Sequence, residues 1–431
     1  MKTKLAAALS ALCLLSGCAL SADTEALLRA PQLSGESRAL QKALNSYLNT
    51  AVTLKYPDSG DFLSPFAFGD WDGDGDDEAA VLYTADSTGT NVWLAVLEAD
   101  VDGDGWHVSQ TVEGLSGEVE VFSAAHLRDT VSQQLIAGYT SAQGDSYLVV
   151  YRYADGSLNT VISQSYTNMI LADFTGKGDT QDLVLALPAE SDFGGVALQL
   201  LTNVDGEFRS AQTLNLGEGI YTGCAALQAG RGIDQHTYLV MDAYSDSGSL
   251  VSDIITYDEE TGFLQSYHPP GVSSVFTGTR RYDTTLLSCD IDQNGTVDIP
   301  VEAEDGGVIV SPLDKRLRFV VWQDYAGENG GKSTFGVYDA SNRIFYGLPP
   351  ALRKNVMLRP LANGSGWQVC SQQGTVTYCE LRMVEATAAD NEQYTRIANV
   401  GSQQLQVRVL TTYAGLTVEY IQKHTVLLGA E

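Results

Sequence analysis

The segment Asp70-Trp71-Asp72-Gly73-Asp74-Gly75-Asp76-Asp77-Glu78 places acids at positions 1, 3, 5 and 9 of one short loop. Alternate carboxylates on a tight turn converge on a point and repel one another unless a cation neutralises them. A hard ion that takes six to eight oxygens at about 2.3–2.6 Å meets that demand, so calcium is the expected occupant. The pattern recurs at Asp290-Ile291-Asp292-Gln293-Asn294-Gly295-Thr296-Val297-Asp298. Each loop runs into an apolar strand, and two such loops in one register imply a repeat architecture. An EF-hand is excluded, because it needs flanking helices and a bidentate Glu at position 12. Position 12 is Val81 in one loop and Val301 in the other.

With the loops as rulers, a repeat unit emerges. A first strand ends in a small residue and an acid: Phe66 to Asp70, Met169 to Asp173, and Leu286 to Asp290. A second apolar strand follows each loop, at Ala79 to Tyr83, Leu183 to Leu187, and Ile299 to Val301. Third strands are expected at Val92 to Leu97 and Val196 to Leu201, and a turn at Gly206 leads to a fourth. Units starting near 126 and 226 keep the strand rhythm without the acids. Four strands per unit is the composition of a propeller blade. The expected fold is therefore mainly β, a β-propeller of about five or six blades spanning 61–340, followed by a small C-terminal α+β domain at 341–431. Val52 to Tyr56 is a candidate strand to close the ring against the last blade. Ahead of it, Ser34 to Leu48 reads as a helix with Leu40, Leu44, Tyr47 and Leu48 on its buried face.

These loops resemble the FG-GAP/VCBS type of repeat, found in integrin α-subunit propellers and in many bacterial surface proteins. The resemblance rests on an Asp-x-Asp-x-[Asp/Asn]-Gly-x-x-[Asp/Glu] loop between the first two strands of a blade. It implies that Asp70, Asp72, Asp74 and Glu78 bind calcium through side chains and Asp76 through its carbonyl. In the second loop it implies Asp290, Asp292, Asn294 and Asp298 as side-chain ligands and Thr296 as a carbonyl ligand, giving two structural ions. Gly75 and Gly295 sit where the turn calls for a positive φ. A third candidate, Asp173 to Asp182, carries Lys177 at a ligand position and its last acid one place late. There an ammonium paired with Asp173 and Asp182 is expected to replace the metal. Asp100 to Gly105 is similar at a glance but has Val108 at position 9, and reads as a hairpin turn.

The N-terminus reads as an export signal. Lys2 and Lys4 precede an apolar run from Leu5 to Leu15 that is too short to span a bilayer. The run ends in Leu15-Ser16-Gly17-Cys18, which resembles the bacterial lipobox. That resemblance implies cleavage after residue 17, lipidation of Cys18, a tether within 18–60, and an extracytoplasmic protein anchored to the membrane by its acyl chains. An ordinary secretory signal with an incidental cysteine is the alternative. Formal charge is −29. A surface that acidic opposes nucleic acid and anionic headgroups, and favours cations or a basic partner. Cys370 and Cys379 flank a short turn and are candidates for a disulfide, which export permits. Cys224 and Cys289 read as core residues.

Nothing in the sequence supplies a catalytic residue. The five histidines, His107, His126, His236, His268 and His424, are isolated and form no zinc-binding pair. No nucleophile elbow or phosphate-cradling loop precedes a helix. A surface module that binds protein or glycan is the leading expectation. The alternatives are a carbohydrate-active lyase or glycosidase on a calcium-stabilised propeller, with Trp71, Trp93, Trp106, Trp322 and Trp367 as candidate sugar platforms, and a purely structural envelope protein.

Overall fold

Strands with apolar residues at every position need two cores, one against each face, and this requirement organises the molecule. The computed structural model describes residues 35–85, 89–100, 105–188, 194–232, 235–267, 278–325, 333–387 and 393–428. The export signal, Cys18 and the start of the tether lie outside the described residues. Among those residues no helix is long and apolar enough to cross a membrane.

Helix α1 (Gly35–Leu48) buries Leu40 and Leu44, four residues apart on one face, against the first sheet. Tyr47 was expected on that face but is 54% exposed, so the buried stripe is narrower than the spacing predicts. The chain leaves α1 through Asn49 at φ 55°, the left-handed conformation common after a helix end.

Six antiparallel-rich sheets follow. The first contains β1 (Val52–Leu54), β2 (Phe66–Gly69), β3 (Glu78–Ala85), β4 (Trp93–Ala99) and β5 (Trp106–Glu113). Both β1 and β2 pair with β3, β1 near Tyr83 to Ala85 and β2 near Glu78 to Val81. The segment expected to close the ring against the last blade thus extends the first sheet instead. The second sheet is β6 (Glu118–Ala125), β7 (Gln134–Thr140), β8 (Ser146–Ala154) and β9 (Ser157–Tyr166). The third is β10 (Asn168–Ala172), β11 (Asp182–Leu187), β12 (Val196–Val204) and β13 (Glu207–Leu216). The fourth is β14 (Tyr221–Arg231), β15 (Thr237–Ser245), β16 (Leu250–Asp258) and β17 (Phe263–Ser266). Sheets two to four are meanders in chain order.

The fifth sheet begins with β18 (Asp298–Glu302), and β19 (Val308–Ile309) then leaves to join the sixth. The fifth continues with β20 (Leu317–Asp324), β21 (Ser333–Asp339) and β22 (Ile344–Gly347). The sixth is completed by β23 (Val356–Pro360), β24 (Gly366–Ser371), β25 (Thr377–Glu385), β26 (Thr395–Val400) and β27 (Gln403–Val409). A helix, α2 (Val418–Lys423), returns the chain to β28 (Thr425–Leu427), which pairs with β22. The boundary expected at 340/341 therefore falls between neighbouring strands of one sheet, and the last strand of the chain belongs to that sheet too.

Consecutive sheets share cores. In β7, Leu135 and Ala137 pack toward the first sheet, while Ile136 packs with Leu183 and Leu185 of the third. In β11, Val184 and Ala186 pack with Leu239 and Met241 of the fourth sheet. Tyr238 and Val240 meet Val297 and Ile299 of the fifth, and Phe319 and Val337 meet Leu358 and Val369 of the sixth. Side chains alternate faces along a strand, so a strand between two cores must be apolar throughout. That is why the second strand of each unit reads as an unbroken hydrophobic run.

Cys370 and Cys379 are both buried and free. A register shift in the β24–β25 pair sets Cys379 opposite Val369 and Cys370 opposite Thr377, so the two thiols are not cross-strand partners. Cys224 and Cys289 pack at the edges of cores, as expected.

Candidate metal centres

The loops leading into β3, β11 and β18 fold alike, although in the fifth sheet the first strand expected at Leu286 to Asp290 is reduced to a single bridge between Cys289 and Asp298. Position 4 is left-handed in each, at Gly73 (φ 86°), Gly176 (φ 70°) and Gln293 (φ 60°). Position 6 is left-handed too, at Gly75 (φ 99°), Gly178 (φ 72°) and Gly295 (φ 88°). The first carboxylate folds each loop around itself. Asp70 accepts from the amides of Gly73 (2.6 Å) and Gly75 (3.0 Å). Asp290 accepts from Asn294 (3.0 Å) and Gly295 (2.7 Å), and Asp173 from Lys177 (3.1 Å) and Gly178 (2.9 Å). Position 2 supplies an apolar anchor beneath the loop in every case, namely Trp71, Phe174 and Ile291, all buried.

In the first and fifth sheets the last acid reaches back under the loop. Glu78 accepts the Trp71 amide at 2.9 Å, and Asp298 the Ile291 amide at 3.2 Å. Both carboxyls are almost completely buried, and desolvation, with smaller repulsion from neighbouring carboxylates, pushes each up to about 7. Asp72 is raised as well, first by burial and then by Asp74 and Asp70. Oxygens of Asp70, Asp72 and Glu78 lie within 4.8 Å of one another, and so do those of Asp290, Asp292 and Asp298. Each cluster can hold a metal ion. The donors are oxygens alone and carry charge that burial leaves uncompensated, which fits a hard divalent cation.

The structure thus brings together three of the expected ligands in each loop. Asp74 lies outside the first group, and its Oδ1 accepts the Asp76 amide at 2.9 Å. In the second loop the Asn294 Oδ1 accepts the Thr296 amide at 2.7 Å.

The loop of the third sheet departs from expectation. Lys177 does not pair with Asp173 or Asp182; its Nζ donates to the Asn203 carbonyl at 2.8 Å. Asp182 is fully buried and accepts from the Thr175 amide (2.8 Å), the Thr175 hydroxyl (3.3 Å) and the Thr202 hydroxyl (2.5 Å). Burial still raises it, while these donors and the Phe174 amide pull it down. Hydroxyls and amides do the neutralising work there. Being one place late in sequence, Asp182 takes the amide of position 3, Thr175, and so keeps the seven-residue separation of Glu78 from Trp71 and of Asp298 from Ile291.

The three loops also join sheets. The Gln133 amide of the second sheet donates to Asp70 O (3.3 Å), and Gln181 of the third-sheet loop donates to His126 O (2.8 Å). At the fifth sheet, Arg231 donates to Gly295 O (2.9 Å) and Val297 to the Tyr238 hydroxyl (2.6 Å). A second support lay beyond the sequence reading. Arg281 and Asp242, both buried, form an ion pair at 2.7 Å, and Asp242 also accepts the Ser288 amide at 2.6 Å, two residues before Asp290. In sequence, Arg280-Arg281 gives no sign of burial.

Of the other candidates, Asp100 closes the β4–β5 hairpin through its amide to Gly105 O (2.9 Å) and pairs with His107 at 3.1 Å, while 101–104 lie outside the described residues. His268 lies outside them too. Trp71, Trp322 and Trp367 are core residues, which leaves Trp93 and Trp106 half-buried.

No protein-family model and no curated protein matches the chain. Among solved structures, a putative 6-phosphogluconolactonase from Bacteroides uniformis aligns over 78% of this chain and 93% of its own at 10% identity, with a TM-score of 0.31. The periplasmic gluconolactonase PpgL of Pseudomonas aeruginosa aligns over 59% and 81% at 14% identity, TM-score 0.26. The rhamnogalacturonan lyase YesW aligns over 56% of this chain and 59% of its own at 14% identity, TM-score 0.23. Superpositions this loose carry no argument about activity.

Proposed function

We propose that this chain is a calcium-stabilised β-propeller of FG-GAP/VCBS-like repeats that serves as a binding module at the cell surface, held to the membrane through lipidated Cys18. The observation that carries the reading is the pair of three-carboxylate clusters at equivalent loops of the first and fifth sheets. Each cluster lies beneath a loop that is hydrogen-bonded to a neighbouring sheet, so an ion there fastens sheet to sheet. Calcium is the ion because the donors are hard oxygens of unequal reach, aspartate and glutamate, and calcium tolerates irregular coordination better than magnesium does. A structural role is supported by the way Asp70, Asp72, Glu78, Asp290 and Asp298 each accept an amide of their own loop. Stacked sheets joined this way present rigid loops, the usual carriers of recognition.

Calcium titration of chelator-treated protein by isothermal calorimetry tests the reading. Two ions per chain are expected, falling to one in Asp72→Ala and in Asp292→Ala. Absence of calcium uptake would contradict it.

A further inference from the structure

We infer that the cleft between the third, fourth and fifth sheets binds a saccharide bearing a carboxylate, with Arg231 as its anion contact; this deepens the binding-module reading and rests on it. The cleft has a volume of about 660 Å³. That lies inside the range of roughly 300–1,000 Å³ typical of small-molecule sites. Its polar side chains are Asp173, Gln181, Arg231, Gln235, His236 and Thr237. Only the methyls of Ala172 and Ala229 add apolar side-chain surface, and glycines, Gly295 among them, keep the space open. A Cβ at Gly295 would meet nothing within 4 Å.

The chemistry of that wall selects the ligand. Two amides and a hydroxyl offer donors and acceptors to a polyol, while alanine methyls and backbone carbons of the lining give its C–H faces something to pack against. Among the charged groups, Asp173 has both oxygens engaged by the Lys177 and Gly178 amides. His236 is paired with Glu259 at 3.3 Å. The Arg231 guanidinium makes no hydrogen bond or ion pair among the described residues and is exposed. In a chain of net charge −29, a guanidinium that has no partner among the described residues and stands at the wall of a cleft is a candidate anion contact. Its planar fork matches a carboxylate with two parallel hydrogen bonds. The main chain that carries Arg231 is fixed at the cleft wall, because the Arg231 amide donates to Gly295 O at 2.9 Å and the Gly295 amide donates to Asp290 at 2.7 Å.

The test titrates the full chain, in saturating calcium, with trigalacturonate, trimannuronate and glucuronate, using maltotriose as the neutral control. At least one uronate should bind about tenfold or more tightly than maltotriose, the loss expected when a charged hydrogen bond is absent. Arg231→Ala should bring that uronate down to the level of maltotriose, while Arg231→Lys keeps part of the difference. Equal binding of charged and neutral sugars, an unchanged affinity in Arg231→Ala, or no uronate binding at millimolar concentration would each overturn the assignment. Calcium uptake measured on the same samples keeps the two readings apart. Uptake without uronate binding removes this site and leaves the calcium-stabilised module standing, whereas loss of uptake removes the module.

Discussion

The loops at 70–78 and 173–182 share one backbone and solve one electrostatic problem in two ways. In both, the first Asp is wrapped by amides at or near positions 5 and 6, an aromatic residue anchors position 2, and a buried acid closes the turn. In the first sheet that acid, Glu78, faces Asp70 and Asp72 and is driven up to about 7. In the third sheet Asp182 faces Thr175 and Thr202 instead. One loop leaves its charge for a cation to neutralise, and the other dissipates it over hydroxyls and amides. The loop fold therefore does not itself require metal; what sets the requirement is whether positions 3 and 5 bring more carboxylates or a threonine and a lysine.

The largest expected effect separates the two kinds of loop. At calcium a thousandfold above its Kd, an occupied site adds about 4 kcal/mol of stability. Asp290→Ala should remove that increment for the fifth-sheet loop, read as lost calcium-dependent resistance to denaturant. Asp182→Ala should cost about 3 kcal/mol, because two hydroxyls and an amide lose their acceptor, and the loss should be equal with calcium and with chelator. A calcium-dependent loss in Asp182→Ala would break the comparison.

Acidity sharpens it further. Glu78 and Asp298 are raised in the folded state from 4.5 and 3.8 to about 7, so the proton favours the fold. Their contribution is complete below about pH 4 and is lost as pH rises through about 7. Chelated protein should therefore gain about 2 kcal/mol from each of the two groups between pH 7.5 and 5. With calcium present the trend should reverse, because protons compete for the same oxygens. Denaturant midpoints across that window check both signs.

A gain-of-site variant probes the same contrast from the other side. Thr175→Asp with Lys177→Asp restores the missing acids around Asp182, and a third calcium should bind, detectable as a third equivalent in calorimetry. Lys177→Ala alone should matter least, costing under about 1 kcal/mol, since it removes one exposed hydrogen bond.

Much of this was legible in the chain. Acids at alternate positions with a glycine at position 6 define the loops, and unbroken apolar second strands mark sheets buried on both faces. The rest depends on partners distant in sequence. Thr202 lies on β12, across the sheet from Asp182, so the sequence suggested Lys177 as the neutralising group and the nearer cation was the wrong choice. Asp242 and Arg281 meet because the Arg281 backbone, 39 residues further along the chain, pairs with Leu250 of β16, the neighbour of β15. The boundary read near residue 340 falls within the fifth sheet, because β28 returns from the far end of the chain to complete that sheet beside β22, and no local pattern announces such a return. A single β-bulge moved Cys379 away from Cys370, a shift that residue spacing does not reveal.

Thermal unfolding of the chain with calcium and with chelator, for wild type, Asp72→Ala and Asp292→Ala, tests the central claim most directly. The account predicts a melting temperature that rises with calcium in the wild type, rises less in each variant, and converges for all three in chelator once the lost repulsion is allowed for. A wild-type melting temperature indifferent to calcium would contradict it, and would reduce both clusters to acidic turns.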